Sequence, residues 1–203
     1  MDTMMLILNT IYFKANWSKK FDKKSTTKMD FVGGKQVDMM RQVEKFNYYE
    51  DDNVQIVQMG YVGDDFSMVI ILPKSNLDLV GLNKVLKPEY FNLTKSASKR
   101  VDLYMPKFTQ RSKMGLIPNL QKLGVNDLFN NADLSLIGDK IFVSAIIHEA
   151  VVIVDEEGTE AAAVTAITVT LRSAPKLTLF KADHPFIYYI KHNKSNLILF
   201  IVT

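Results

Sequence analysis

Apolar and β-branched residues recur along most of the chain in short runs, separated by Gly, Asp and Asn. Runs of this length bounded by turn residues are typical of β-strands. Gly63-Asp64-Asp65 lies between two of the runs, and because Gly and Asp tolerate turn conformations, this spacing predicts a hairpin whose second strand ends at Pro73. The predicted strands cover residues 3–13, 37–49, 54–61, 67–72, 101–108, 141–154 and 186–202.

Leucines at helical spacing predict two short helices, over residues 76–86 and 114–123. Gly124 follows the second helix where a C-cap residue is expected, and Pro118 is tolerated only near its first turn. Strands therefore dominate, with a few helices between them and no βαβ alternation. This pattern predicts an α+β fold in one domain or part of one.

Composition narrows the classes of function. The 203 residues are 47% hydrophobic and 23% charged, which is ordinary for a globular protein. The net charge of +3 is too small to indicate nucleic acid or a membrane surface as a partner. No apolar run reaches the roughly 18 to 20 residues of a membrane-spanning helix. The absence of Cys excludes disulfides and thiolate sites, and no secretory signal is visible, so the compartment stays open.

Catalytic chemistry has little support in the sequence. The histidines are isolated from one another, without the i, i+4 pairing of zinc proteases, and no Gly-x-Ser-x-Gly or Walker-type loop occurs. We therefore expect no metal site, no cofactor and no enzymatic activity. The three histidines are His148, His184 and His192.

The most informative segment, residues 151–175, combines conflicting preferences. A strong strand pattern runs into an acidic turn, then an Ala cluster that favours helix, then β-branched residues that favour strand. With a period of two, Thr159, Ala161 and Ala163 would share one face, and no Pro interrupts residues 151–174. The segment is either a long strand-competent loop or an Ala-rich surface helix, and composition alone leaves both open.

A family resemblance favours the loop. The segment resembles the reactive-loop hinge of serpins, the serine-protease-inhibitor superfamily, in the residues Glu156-Glu157-Gly158-Thr159-Glu160-Ala161-Ala162-Ala163. Further serpin-like landmarks follow in family order: Asn9-Thr10-Ile11-Tyr12-Phe13-Lys14 with Trp17 and Phe21, the run 67–74, Met105-Pro106-Lys107-Phe108, His148-Glu149-Ala150, and Ala182-Asp183-His184-Pro185-Phe186. The resemblance covers essentially all 203 residues.

This resemblance implies a serpin-like multi-sheet fold with parts of sheets A, B and C and a few helices. It also implies that residues 1–203 are the C-terminal portion of a serpin domain, with the N-terminal helical portion absent and the reactive-centre loop at about 156–178. The complete fold would be a monomer. The family favours an extracellular location but leaves a cytoplasmic one open.

The family mechanism implies a suicide-substrate inhibitor whose cleaved loop inserts into sheet A through small hinge residues. Family spacing places the scissile bond between Arg172 and Ser173, which implies a protease of trypsin-like specificity as partner. A shifted register would instead make Leu171 the specificity residue and a chymotrypsin-like protease the target. A non-inhibitory serpin, or an inactive fragment cleaved as a plain substrate, is the alternative reading. No polyanion cofactor is expected.

Five residues take individual roles from the resemblance. Lys107 and Glu156 correspond to an ion pair where the loop enters sheet A, which as a surface-type pair would contribute at most about 1 kcal/mol. Asn9 and His148 correspond to the polar shutter at the centre of sheet A. Trp17 corresponds to the breach aromatic. The simpler alternatives are two solvated charges for the ion pair and an ordinary core residue for Trp17.

Overall fold

A computed structural model of the chain describes residues 4–75, 81, 84–93, 96–138, 141–157 and 177–202. Strands dominate the described residues and form two sheets. The strands are β1 Met4–Phe13, β2 Thr27–Phe31, β3 Lys35–Glu50, β4 Val54–Gly60, β5 Phe66–Pro73, β6 Ala97–Pro106, β7 Phe108–Gly115, β8 Phe142–Val154, β9 Thr178–Lys181, β10 Ile187–His192 and β11 Ile198–Val202. The helices are α1 Ile117–Lys122 and α2 Asp127–Asn130, with 3₁₀ turns at Lys23–Ser25 and Pro88–Phe91. No helix among these residues is both long and apolar enough to cross a membrane.

The chain divides into two compact units. The first comprises residues 1–14 and 109–153, and the second comprises residues 15–108 and 154–203. Strand β8 therefore leaves the first unit after Ile153, and its last residue, Val154, belongs to the second.

The first unit is built on a three-stranded sheet of order β1-β8-β7. Strands β1 and β8 run parallel, from Met4 opposite Phe142 to Phe13 opposite Val152, with one irregularity after Met5. Below the sheet, a small core gathers Phe129, which is 8% exposed, with apolar residues of β1, β8 and α1. The parallel β1–β8 pair is the feature that bears on the candidate site.

The second unit is built on an eight-stranded sheet, in which seven strands follow the order β11-β10-β5-β4-β3-β6-β9 and the eighth, β2, pairs with β3. Gly63 and Asp64 adopt positive φ angles in the predicted turn, and β4 and β5 pair antiparallel on either side of it. All residues of β5 after Phe66 are buried, so both faces of this strand are covered. Its run of Val, Ile and Leu without alternation is what a strand buried on both faces requires.

Several boundaries differ from the sequence prediction. Met114 and Gly115 end strand β7 instead of beginning a helix, and α1 starts only at Ile117. Pairing of β7 with β8 outweighs the helical spacing of the leucines, because a sheet ladder satisfies the backbone groups of residues 108–115. Gly124 does end the helical segment, with φ at +93° and its N–H donated to Gln121 O.

Other elements carried too little signal to be predicted. The predicted strand 186–202 is a hairpin of two strands, with Asn196 at a positive φ in the turn. Strands β2 and β9 were not predicted, because β2 is largely exposed and polar and β9 spans only Thr178–Lys181. Of the predicted helix 76–86, Gly81, Lys84 and Val85 are helical, while residues 76–80, 82 and 83 lie outside the described residues.

Candidate functional site

The described part of the candidate site is the short segment that precedes the part of the hinge expected to insert, residues 158–166. Residues 155–157 continue from β8 and belong to the second unit. Most predicted loop residues lie outside the described residues: Gly158, Thr159, Glu160, Ala161, Ala162, Ala163, Arg172 and Ser173. The described contacts therefore belong to the base of the loop, residues 155–157.

Three consecutive carbonyl groups anchor this loop base. Asp155 O accepts a hydrogen bond from the indole Nε1 of Trp17 at 2.8 Å. Glu156 O accepts from the backbone N–H of Phe21 at 2.9 Å, and Glu157 O accepts from the backbone N–H of Trp17 at 3.2 Å. The segment that follows β1 in sequence thus holds every backbone carbonyl of residues 155–157.

Trp17 is the central packing residue of this anchor. Its side chain is 1% exposed, and its ring stacks on Tyr61 with centroids 4.5 Å apart and an interplanar angle of 13°. Burial of the ring leaves its N–H in need of an acceptor, and Asp155 O provides one. Trp17 is therefore both a core residue and a direct contact of the loop base.

The Glu156 side chain is buried, which corrects the expectation of a surface-type ion pair. Glu156 is 4% exposed, and its Oε2 lies 2.8 Å from Lys107 Nζ. Its Oε1 accepts a hydrogen bond from the Thr26 hydroxyl at 2.9 Å. The lysine side chain is 45% exposed, so the pair is buried at the carboxylate end only. Both carboxylate oxygens are satisfied, as a buried charge requires.

Electrostatics keep Glu156 ionised in spite of its burial. Burial raises the pKa of the carboxyl, but hydrogen bonds from Lys107, its own backbone N–H and Thr26 outweigh that effect and leave the pKa below its ordinary value. The same hydrogen bond raises the pKa of Lys107. Both groups are therefore charged at neutral pH.

We expect Glu156 to make stability depend on pH in the acid range. The unfolded carboxyl titrates near its ordinary pKa of about 4.3 and binds a proton more readily than the folded one. The contribution of Glu156 is therefore full above that value and is lost as the pH falls through the lower folded-state pKa. Glu156→Gln should lower the free energy of unfolding by about 1 kcal/mol at neutral pH. Urea titrations should show the difference from wild type diminishing as the pH falls through the lowered folded-state pKa of Glu156; a difference that is constant with pH would contradict this role.

Glu157 forms a second, more exposed ion pair. Its Oε1 lies 2.5 Å from Lys23 Nζ, and the side chains are 24% and 67% exposed respectively. Its backbone N–H donates to Asp155 Oδ1 at 3.0 Å. Adjacent glutamates at the loop base thus occupy different environments.

Asn9 and His148 lie together on the paired strands of the first unit. They are partners in the parallel register of β1 and β8, and Asn9 Nδ2 lies 3.0 Å from His148 Nδ1. They are not two unpaired polar groups in the sheet. Instead they are hydrogen-bonded to each other, with Asn9 exposed and His148 half-buried.

Sequence reasoning missed part of the loop anchor. Thr26 and Lys23, which bind the two glutamates, were not singled out, and Tyr61 was not identified as the stacking partner of Trp17. The Thr26–Glu156 contact joins residues 130 positions apart, and neither local sequence indicates it. The acidic pair itself was the available signal, because a buried carboxylate needs donors somewhere in the fold.

Comparison with known proteins identifies similar sequences over nearly the whole chain. A family model described as Serpin (serine protease inhibitor) matches residues 1–202. The uncharacterized serpin-like protein R700 of Acanthamoeba polyphaga mimivirus is 44% identical, over 98% of this chain and 53% of its own length. The leukocyte elastase inhibitor of Equus caballus is 39% identical, over 98% of this chain and 57% of its own length. The chain thus spans about half the length of the curated relatives it matches.

The fold has similar solved structures as well. The crystal structure of uncleaved ovalbumin superposes with a TM-score of 0.83 at 26% identity, covering 98% of this chain and 53% of the ovalbumin chain. The chain shares with such solved serpin structures a β-rich fold of several sheets with few helices, and this confirms the predicted fold class.

Proposed function

The chain belongs to the serpin family, and on that premise we propose that it inhibits a serine protease of trypsin-like specificity as a suicide substrate. Family members are mostly protease inhibitors rather than enzymes. The observation that carries the proposal is the anchored loop base: residues 155–157 are fixed by Trp17 and Phe21 directly before the small-residue hinge.

In the proposed reaction the loop serves as bait. The protease serine attacks the carbonyl carbon of Arg172, the peptide bond to Ser173 breaks, and the new amino terminus at Ser173 leaves with the proton delivered by the protease histidine. Arg172 remains bound to the protease as an ester. The guanidinium of Arg172 suits a pocket with a buried carboxylate, which is the basis of trypsin-like specificity.

The parallel pair β1–β8 is the proposed site of insertion. After cleavage the hinge would reverse direction behind β8 and enter between β1 and β8, antiparallel to both. One parallel ladder would then be replaced by two antiparallel ladders, and antiparallel pairing is slightly more stable per residue. This gain drives the proposed transition, which belongs to the stored-strain class for which the serpin loop is a standard example.

Insertion requires the two strands to separate. The hydrogen bond between Asn9 and His148 lies midway along the β1–β8 register and would have to break. Thr159, Ala161 and Ala163 would form the inward face of the new strand, where small side chains pass between packed strands most easily. These residues are therefore proposed as the hinge, and Asn9 with His148 as the shutter.

We expect the specificity of the chain to follow residue 172. Arg172→Leu should reduce the rate of reaction with trypsin by at least about a hundredfold and create reaction with chymotrypsin, because the pocket contact changes from a charged to an apolar one. The rate of reaction is measured with each protease in assays stopped at timed intervals. The cleaved bond is identified from the intact mass of the released fragment. Trypsin should release a fragment that begins at Ser173. Cleavage after Leu171 in the wild type, or an unchanged rate in the variant, would show that the scissile bond has been assigned wrongly.

A further inference from the structure

The two glutamates before the hinge are held in physically different ways. Glu156 is 4% exposed and its carboxylate is bound by Lys107 and Thr26. Glu157 forms an ion pair with Lys23, and both side chains of that pair reach solvent. A buried pair is screened little by salt, whereas an exposed pair is screened strongly. Because Lys107 is 45% exposed but Glu156 is buried, the first pair is screened less by salt than the second, in which both side chains reach solvent.

Lys23 stands on a short turn that is fixed by local hydrogen bonds. It begins the 3₁₀ turn Lys23–Ser25, where Asp22 Oδ1 caps the turn by accepting the N–H of Lys24 at 2.9 Å. This turn holds the lysine backbone near the loop base before any ion pair forms. The lysine then loses less conformational freedom on pairing than a lysine on an unrestrained loop.

The ion pair shifts the pKa values of Lys23 and Glu157 so that both side chains favour their charged forms. The hydrogen bond to Glu157 and the negative charge of that residue raise the pKa of Lys23. The hydrogen bond from Lys23 lowers the pKa of Glu157 against a small opposing effect of burial, and Lys20 lowers it further. Both groups are ionised across the neutral range.

The backbone hydrogen bonds of Glu156 and Glu157 differ in length, and the order matches the exposure of the two ion pairs. The bond from the Phe21 N–H to Glu156 O is 2.9 Å long, and the bond from the Trp17 N–H to Glu157 O is 3.2 Å long. The longer bond belongs to the residue with the exposed ion pair, immediately before Gly158. The Glu157 contact therefore combines the longer backbone hydrogen bond with the more exposed ion pair.

We propose that the Lys23–Glu157 ion pair is a salt-sensitive latch that holds the last residue before the hinge on the Trp17 backbone. Lys23 is a positioning residue, because it acts through its contact with Glu157. The latch sets how readily the loop base opens, while the Lys107–Glu156 pair keeps its position. The physiological meaning of the latch rests on the proposed inhibitory function, but its existence is a property of the native structure.

Amide hydrogen exchange resolves the two carbonyl contacts separately, because their donors are the amides of Trp17 and Phe21. In ¹⁵N-labelled wild-type chain, raising the salt concentration from about 0.02 M to about 0.3 M should speed exchange at Trp17 roughly threefold and leave Phe21 unchanged. Lys23→Met should produce the same acceleration at low salt and leave only the smaller salt dependence that Lys20 contributes. Lys23→Arg should restore the wild-type salt dependence, because a cation is again available.

The matched control is Lys24→Met, which removes a neighbouring exposed lysine and should change neither amide. Glu157→Gln provides a second, nearly isosteric variant in case Lys23→Met fails to fold. Equal exchange at Trp17 in wild type and Lys23→Met would overturn the latch, as would a parallel change at both amides, which indicates general destabilisation. Failure of the chain to inhibit any protease would leave this exchange result intact, so the two proposals fail independently.

If the inhibitory proposal holds, the latch also has a functional readout. Opening the loop base earlier should favour insertion over simple hydrolysis, so Lys23→Met should lower the number of inhibitor molecules consumed per protease trapped at low salt. At about 0.3 M salt the variant and the wild type should converge. An increase in that number in Lys23→Met would contradict the assigned direction of the effect.

Discussion

Replacing Ala161 with Arg should abolish trapping of trypsin while leaving cleavage after Arg172 intact. With the period of two inferred from the sequence, Ala161 would be on the face of the hinge that passes between β1 and β8, where a buried, unpaired guanidinium costs several kcal/mol. The acyl-enzyme would then hydrolyse before the loop inserts. Denaturing gels of equimolar mixtures should show the cleaved chain in full amount and no complex.

The matched control is Ala162→Arg, the neighbouring residue on the opposite face of the same segment. With a period of two, this side chain would point away from the insertion cleft, and the complex should persist. Equal loss of complex in both variants would mean that the segment does not insert with the assigned alternation. Retention of complex in Ala161→Arg would contradict insertion of the hinge altogether.

Removal of the Trp17 side chain should be the most destabilising substitution among the described residues of the candidate site. Trp17→Ala leaves a cavity beside Tyr61 and removes the donor to Asp155 O, and changes of this kind cost about 3–5 kcal/mol. Urea unfolding followed by circular dichroism measures the loss, because the only tryptophan of the chain is the residue replaced.

Trp17→Phe separates the two contributions of the indole. Phenylalanine retains an aromatic ring against Tyr61 but leaves Asp155 O without its donor, so a smaller loss of about 1–3 kcal/mol is expected. In both variants, exchange of the backbone amide of Phe21 should accelerate, because the loop base loses a contact. A loss below about 1 kcal/mol in Trp17→Ala would show that the ring is not a structural centre of the anchor.

The sequence predicted strands wherever strand-length apolar runs were strong. Strands β3, β4 and β5 were recognised with errors of one or two residues, and the turn at Gly63 was assigned from its residue types. Strand β7 was mistaken in part for a helix, because the spacing of its last residues fits a helix and only its neighbour in the sheet decides the conformation. Parallel pairing of β1 with β8 joins segments more than a hundred residues apart and leaves no local signal.

The same difference between local sequence signals and contacts of distant residues applies to the candidate site. The family resemblance named Lys107, Glu156 and Trp17, and the structure brings Lys107 to Glu156 and Trp17 to the loop base. The burial of Glu156 could not be read from a polar, acidic stretch, because it depends on distant residues covering it. Lys23 is one of several lysines in its stretch of sequence, and only the fold selects it as the partner of Glu157.

The central claim is covalent trapping by loop insertion, and the most direct test is incubation of the 203-residue chain with trypsin at equal molar ratio. The products are read by denaturing gel and intact mass. We predict a species stable to boiling in detergent, with the mass of the protease plus the chain less the fragment that begins at Ser173. Complete cleavage after Arg172 without that species would contradict the account and make the chain a substrate of the protease.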